Sequence, residues 1–268
     1  MSNILEAKNL VKKYTQTQGF FSRVKNTIYA LNKISISIER GKTLAVVGES
    51  GSGKSTLARS LIKLINLDEG TINFDGVDLN AINVRELKNI RKDIQMVFQD
   101  PYASLNPRMK ILDILEEPLI IHNIDKPEKR LEKIKQIIVR VGLNLNDLKK
   151  YPHEFSGGQR QRIGIARALI LGPKLVICDE PVSALDVSVQ AQIIQLLKSL
   201  QKELGLTYLF ITHDLRVVRH IADKVFVMKD GKLMESGKTD IIFKNPKSAY
   251  TKELLASIPG NRKLKRNK

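Results

Sequence analysis

Hydrophobic and polar positions change their spacing several times along this chain, and each change marks a different kind of element. From residue 1 to about residue 45 apolar side chains alternate with polar ones, as at Leu31, Ile34, Ile36 and Ile38. That is the period of an antiparallel sheet with one wet face. A polar segment from Thr15 to Asn26 interrupts it. Thr43-Leu44-Ala45-Val46-Val47 then reads as a short strand, and Leu57, Ala58, Leu61 and Ile62 are spaced for a helix. Between Gln99 and Ser156 the period is helical, first at Ile111 to Glu117, then from Glu128 to Val141 with Leu131, Ile134, Ile137, Ile138 and Val141 predicted on one face. Another helical face follows at Ile163, Ile165, Ala166 and Leu169. Strand and helix then alternate through Leu175 to Cys178, through Val189, Ile194 and Leu197, and through strands at Tyr208 and Val225. No internal repeat is present.

The junction between the first apolar strand and its helix carries chemistry. Gly48-Glu49-Ser50-Gly51-Ser52-Gly53-Lys54-Ser55, followed by Thr56, fits G-x-x-x-x-G-K-[ST] at every fixed position, the Walker A pattern. Glycines let the backbone curl so that N–H groups face a phosphate, helped by the positive end of the following helix. Lys54 adds a mobile cation, and Ser55 offers a hydroxyl to Mg²⁺.

Leu175-Val176-Ile177-Cys178 ends in two carboxylates, Asp179 and Glu180. The C-terminal end of such a strand is where open α/β sheets place ligands. After a Walker A loop, the first acid suits the Mg²⁺ shell and the second suits a general base facing water. Between these motifs lies Phe155-Ser156-Gly157-Gly158-Gln159. Ser156 reads as a helix N-cap, and the glycines allow close backbone approach, so the helix start is a second anion site.

Taken together, these motifs resemble those of ATP-binding-cassette (ABC) ATPases, and the chain is similar almost end to end to the nucleotide-binding subunit of an ABC transporter. The resemblance implies an α/β fold with a P-loop NTPase (RecA-like) core, an N-terminal antiparallel β-subdomain and an inserted α-helical subdomain. The ATP-binding domain would cover residues 1–245 with the helical insert at about 100–168, and a short extension with a basic tail would cover 246–268. ATP and Mg²⁺ are the implied cofactors. By the same resemblance Tyr14 stacks on adenine, and Gly48, Glu49, Ser50, Gly51, Ser52, Gly53, Lys54, Ser55 and Thr56 hold the phosphates. Gln99, Asp179 and Ser55 serve the metal. Glu180, His213 and Gln99 serve catalysis, His213 at the γ-phosphate. Ser156, Gly157, Gly158, Gln159 and Asp186 act across a dimer, on ATP held by a partner's Walker A loop. Phe155 departs from the commoner Leu at the first signature position.

Gln99-Asp100-Pro101-Tyr102-Ala103-Ser104-Leu105-Asn106-Pro107-Arg108-Met109 and Glu180-Pro181-Val182-Ser183-Ala184-Leu185-Asp186-Val187-Ser188-Val189-Gln190 resemble the peptide/nickel importer subfamily. Tyr250-Thr251-Lys252-Glu253-Leu254-Leu255 with Ile258-Pro259 resembles its C-terminal extension, although Ser248-Ala249 replace the usual His-Pro. No cysteine cluster follows, so the chain resembles the member of the ATPase pair that lacks an iron–sulfur extension.

Composition adds bounds. The 268 residues carry 45 Lys and Arg against 28 Asp and Glu, a net charge of +17. Such charge suits nucleic acid or an anionic leaflet. Arg262, Lys263, Lys265, Arg266 and Lys268 form a basic run read as a solvated tail. The single cysteine, Cys178, excludes an internal disulfide and a cysteine zinc site and suits a reducing compartment. No run reaches the roughly 18 apolar residues of a membrane span, and the first residues lack a signal-peptide pattern. The expected partners are two transmembrane permease subunits, a second ATPase that is a paralogue or another copy, and indirectly an extracytoplasmic substrate-binding protein. The expected location is peripheral, at the cytoplasmic face of the inner membrane. Di- or oligopeptides are the expected cargo, with nickel or a metal chelate as the alternative. A non-transport ABC ATPase acting on nucleic acid is the reading from another class, and nucleic acid is not expected because the coiled-coil or zinc inserts and second cassette of those relatives are missing.

Overall fold

The computed structural model describes residues 2–17 and 25–258. The basic run at 262–268 and the middle of the polar segment lie outside the described residues. The chain begins with strands β1 (Asn3–Thr17), β2 (Lys25–Glu39) and β3 (Thr43–Val47), helix α1 (Lys54–Leu61), and strands β4 (Glu69–Phe74) and β5 (Val77–Asp78). Next come α2 (Val84–Asp93), β6 (Ile94–Val97), α3 (Pro101–Ser104), α4 (Ile111–Ile121), α5 (Pro127–Arg140), α6 (Gly157–Leu169), β7 (Leu175–Asp179) and α7 (Val187–Leu204). The final elements are β8 (Thr207–Thr212), α8 (Leu215–Ile221), β9 (Lys224–Lys229), β10 (Lys232–Lys238), α9 (Thr239–Lys244) and α10 (Ala249–Ala256). They form two compact units, Met1–Ile82 with Leu209–Lys268, and Asn83–Tyr208.

In the first unit β2, β1, β4 and β5 form an antiparallel sheet in that order. The predicted alternation is visible here, with Leu31, Ile34, Ile36 and Ile38 buried on one face. The polar segment does not end the ladder where expected. Thr15 pairs with Thr27, Gln16 with Asn26 and Thr17 with Lys25, so both strands run on into it. Thr15 and Thr27 are exposed, and the sequence from Thr15 to Thr17 and from Lys25 to Thr27 is polar throughout, so it carries no period-two hydrophobic signal although the backbone pairing continues.

The same unit holds β10, β9, β3 and β8 side by side. β3 runs parallel to β9, with Leu44 opposite Lys224 and Val47 opposite Val227. All five residues of β3 are buried, as expected of a parallel strand covered on both faces. A core of Ala45, Val47, Leu215, Val225, Ile242 and Tyr250 lies against it, each large apolar side chain contributing about 1.5–3 kcal/mol on full burial.

In the second unit β6 runs parallel to β7, from Ile94 opposite Leu175 to Val97 opposite Cys178. α4, α5 and α6 pack on one another. Ile134, Ile137, Ile138 and Val141 are buried as predicted, but Leu131 stays 38% exposed at the start of the α5 face. α4 continues past Glu117 to Ile121 with Pro118 inside it. The proline forfeits one helical hydrogen bond. Full burial of Leu119 in the next position accompanies the extra turn.

Candidate functional site

The phosphate loop follows β3 and ends where α1 begins. Gly53 caps α1 with φ of 100°. A Cβ there would lie 2.1 Å from the Ala30 carbonyl oxygen, so both the backbone angle and the space admit glycine alone. Lys54 is 5% exposed and folds back over the loop. Its Nζ donates to Gly48 O at 2.9 Å, Glu49 O at 2.7 Å and Ser52 Oγ at 3.4 Å. An incoming phosphate oxygen would exchange with these acceptors and find the ammonium already at the loop. Ser55 and Thr56 lie half-buried in the first turn of α1. Within the loop Ser52 N donates to Glu49 O, and Glu49 N donates to the Tyr250 hydroxyl.

His213 stands exposed just after β8. With Gly48, Glu49, Asp214 and Arg216 it lines a cavity of about 450 Å³. Asp214 caps α8 by accepting Arg216 N, and the Arg216 guanidinium forks onto the same carboxylate at 2.7–3.2 Å. Burial would push the Asp214 carboxyl up, but Arg216 outweighs it and holds it below its ordinary range. Tyr14 lies opposite Ile28 with 42% of its surface exposed and Lys12 Nζ 5.6 Å from its ring.

In the second unit β7 is buried throughout and delivers Asp179, 3% exposed, at its end. Glu180 follows with φ of +47°, in the left-handed region. For a residue with a Cβ this costs about 1–2 kcal/mol and occurs where surrounding contacts enforce it. Ser183 N and Oγ both donate to the Glu180 carbonyl, at 3.2 and 3.1 Å. Gln99 Nε2 donates to Glu180 Oε2 at 3.4 Å, so two residues predicted to share one reaction are in contact. Cys178, one position earlier, is fully buried, and burial pushes its thiol far above the usual range, which suits a packing role.

The signature turn starts α6. Phe155 is 4% exposed, with Lys150 Nζ 5.6 Å from its ring, so the Phe-for-Leu exchange is accommodated by burial. Ser156 is the N-cap as predicted. Its Oγ accepts Gln159 N at 3.4 Å while Gln159 Oε1 accepts Ser156 N at 2.9 Å, a reciprocal capping box. A Cβ on Gly158 would fall 2.5 Å from Val189 Cγ1 of α7, so this glycine is required by the chain's own packing. Asp186 caps α7 through its backbone, its exposed carboxylate making no capping bond.

Several participants carried no sequence signal for their role. Arg160, 8% exposed inside the signature helix, donates from Nε to Pro152 O at 2.8 Å and stacks its guanidinium 3.7 Å from the Tyr102 ring centroid. Arg167 donates to Ser104 O. These contacts tie α6 to the stretch after Gln99. Neither they nor the Tyr250 contact is visible in any periodicity, because the partners are distant in sequence.

Among the described residues no helix is long and apolar enough to cross a membrane. The family model for ABC transporters matches residues 31–183. The oligopeptide transport ATP-binding protein AppF of Bacillus subtilis (strain 168) is 51% identical over 97% of this chain and 79% of AppF. The dipeptide transport ATP-binding protein DppF of Escherichia coli (strain K12) is also 51% identical, over 96% of this chain and 76% of DppF. Among solved structures, a dimeric post-hydrolysis state of an ATP-binding cassette bound to ADP and Pi is 33% identical with a TM-score of 0.77, covering 88% of this chain and 98% of that one. A second structure, cbiO1 of Clostridium perfringens, part of the ABC transporter complex cbiONQ, is 30% identical with a TM-score of 0.78, covering 91% of this chain and 92% of that one. With more than half its length matched by the family model and nearly all of it aligned at 51% identity, the chain belongs to the ABC transporter family, as an ATPase cassette with a P-loop α/β fold.

Proposed function

We propose that this protein is the ATP-binding and ATP-hydrolysing subunit of an import complex whose cargo is di- or oligopeptides. The observation that carries the reading is 51% identity, over nearly the whole chain, to ATP-binding proteins of oligopeptide and dipeptide transport. One ATP-binding domain spans residues 1–245, with a helical insert at about 100–168 and an extension over 246–268. The subunit docks on two membrane permease subunits at the cytoplasmic face of the membrane. It works with a second ATPase, a paralogue or another copy, and an extracytoplasmic binding protein delivers the cargo.

In this reading residues Gly48 to Thr56 cradle the phosphates, with Lys54 exchanging loop carbonyls for phosphate oxygens, and Tyr14 supports the adenine. Ser55, Gln99 and Asp179 offer oxygen ligands only, the hard donor set that Mg²⁺ takes. The ion, when bound, neutralises phosphate charge. Glu180 takes a proton from the attacking water. Gln99 steers that carboxylate through its amide N–H, and His213 donates to the γ-phosphate. Ser156, Gly157, Gly158, Gln159 and Asp186 serve the nucleotide of the partner. Ser156 suits this because its Oγ can accept Gln159 N–H and still donate its own proton to a phosphate oxygen.

Glu180→Gln keeps the shape and the Gln99 contact but removes the base. ATP binding is expected to persist, while hydrolysis falls by about 10²–10⁴-fold. Turnover at the wild-type rate would remove Glu180 from this role.

A further inference from the structure

α10 takes no part in the roles above, yet it is fastened at two points. Its N-terminus lacks a side-chain cap. Glu235 of β10 supplies one instead, its carboxylate accepting Lys247 N at 2.8 Å and Ser248 N at 3.0 Å. The second fastening is Tyr250, 5% exposed and packed with Ala45 and Val47 of the strand that leads into the phosphate loop. Lys229 Nζ stands 4.6 Å from its ring centroid. The Tyr250 hydroxyl accepts the backbone N–H of Glu49 at 3.3 Å.

That N–H belongs to the same peptide group as the Gly48 carbonyl, which accepts Lys54 Nζ at 2.9 Å. A peptide group is a rigid plane, so it turns as a whole. Tyr250 therefore holds one edge of a plane whose other edge positions the loop's cation. Gly48 has φ of +155° and Gly51 of +81°, so the loop backbone has many other conformations to visit once this edge is released.

We propose that Tyr250 is a positioning residue for the phosphate loop. The C-terminal helix latches the Gly48–Glu49 peptide, keeps Lys54 on the loop and thereby sets the affinity for nucleotide phosphates. The inference rests on reading the loop as the ATP site. Since the latch acts before chemistry and leaves Glu180 untouched, it should govern binding and spare turnover.

The test is Tyr250→Phe in the full chain, which keeps the buried ring and deletes the acceptor. Equilibrium Mg-ATP binding and the ATP dependence of hydrolysis are measured beside the wild type. One ordinary hydrogen bond lost from the binding-competent loop corresponds to about a fivefold weaker affinity and an equal rise in KM, with kcat unchanged. Burial and the nearby Glu49 and Asp230 carboxylates push the hydroxyl's pKa up, so it stays protonated and the fivefold ratio should hold from about pH 6 to about pH 9. Unchanged affinity in the variant, or a fall in kcat at constant KM, would overturn the latch. A wild-type chain that binds no ATP would instead overturn the reading of the loop itself.

Discussion

The phosphate loop and the signature turn are both glycine-bearing starts of helices, α1 and α6, and both are read as anion sites, but their glycines answer different constraints. At Gly53 the constraint is conformational and backbone-made, with φ of 100° and the Ala30 carbonyl at 2.1 Å from a notional Cβ. At Gly158 the backbone is ordinary helix, and the obstacle is one methyl group of Val189. The helix starts are also satisfied differently. Gly53 makes no side-chain cap, so the loop's donors are arranged by the curl itself and by Lys54, whereas Ser156 and Gln159 cap each other in a box. A site shaped by backbone is ready before its ligand arrives. A site shaped by side-chain packing depends on what α7 presents beneath it.

That difference is open to mutation, beginning with the larger effect. Gly53→Ala forces either the helix start or the Ala30 strand to move, at a cost of about 3 kcal/mol, which would weaken ATP binding by roughly a hundredfold. No single side-chain truncation should rescue it, because the obstacle is a carbonyl. Equilibrium binding of Mg-ATP checks this, and near-normal affinity would show that the loop tolerates another conformation. Gly158→Ala is expected to cost about 1–3 kcal/mol of stability through overpacking. Here Val189→Ala in the same chain should return most of the loss, since it removes the methyl that clashes. Thermal unfolding of the two single variants and the double variant measures the coupling. Simple additivity of the two costs would mean that Gly158 is glycine for some other reason.

How much of this could be read from residues alone differs between the regions for physical reasons. β3 and β7 were legible because burial on both faces demands apolar residues at nearly every position. The Ser156 cap was legible because a Ser followed by Gln three residues later at a helix start is a local pattern. The outer part of the β1–β2 hairpin was not, since its residues are polar on both strands and carry no hydrophobic period to mark the pairing. Leu131 was misplaced because periodicity marks a face without saying where the neighbouring helices stop covering it. The left-handed Glu180 is hidden by its identity, for only glycine advertises that conformation. Its contact with Gln99 joins residues far apart in sequence, and the family resemblance implied only a shared reaction for the two, not that they touch. Tyr250 belongs to a C-terminal pattern visible in the sequence, while its hold on Glu49 spans 201 positions and leaves no local trace.

The central claim is that the signature turn serves nucleotide held by another subunit, so damaging it should leave the chain's own ATP binding intact. Gly157→Asp is the suitable probe. A Cβ there meets only the Leu185 methyl at 3.4 Å, an acid in the first turn favours the helix dipole, and its charge would repel an approaching phosphate. The decisive measurement is equilibrium Mg-ATP affinity of the dilute, isolated Gly157→Asp chain, made on a variant whose assembled complex has lost hydrolysis. The account expects an affinity within about twofold of wild type, a difference under roughly half a kcal/mol. A loss of affinity as large as that caused by Gly53→Ala would place the signature in the chain's own nucleotide site and contradict it.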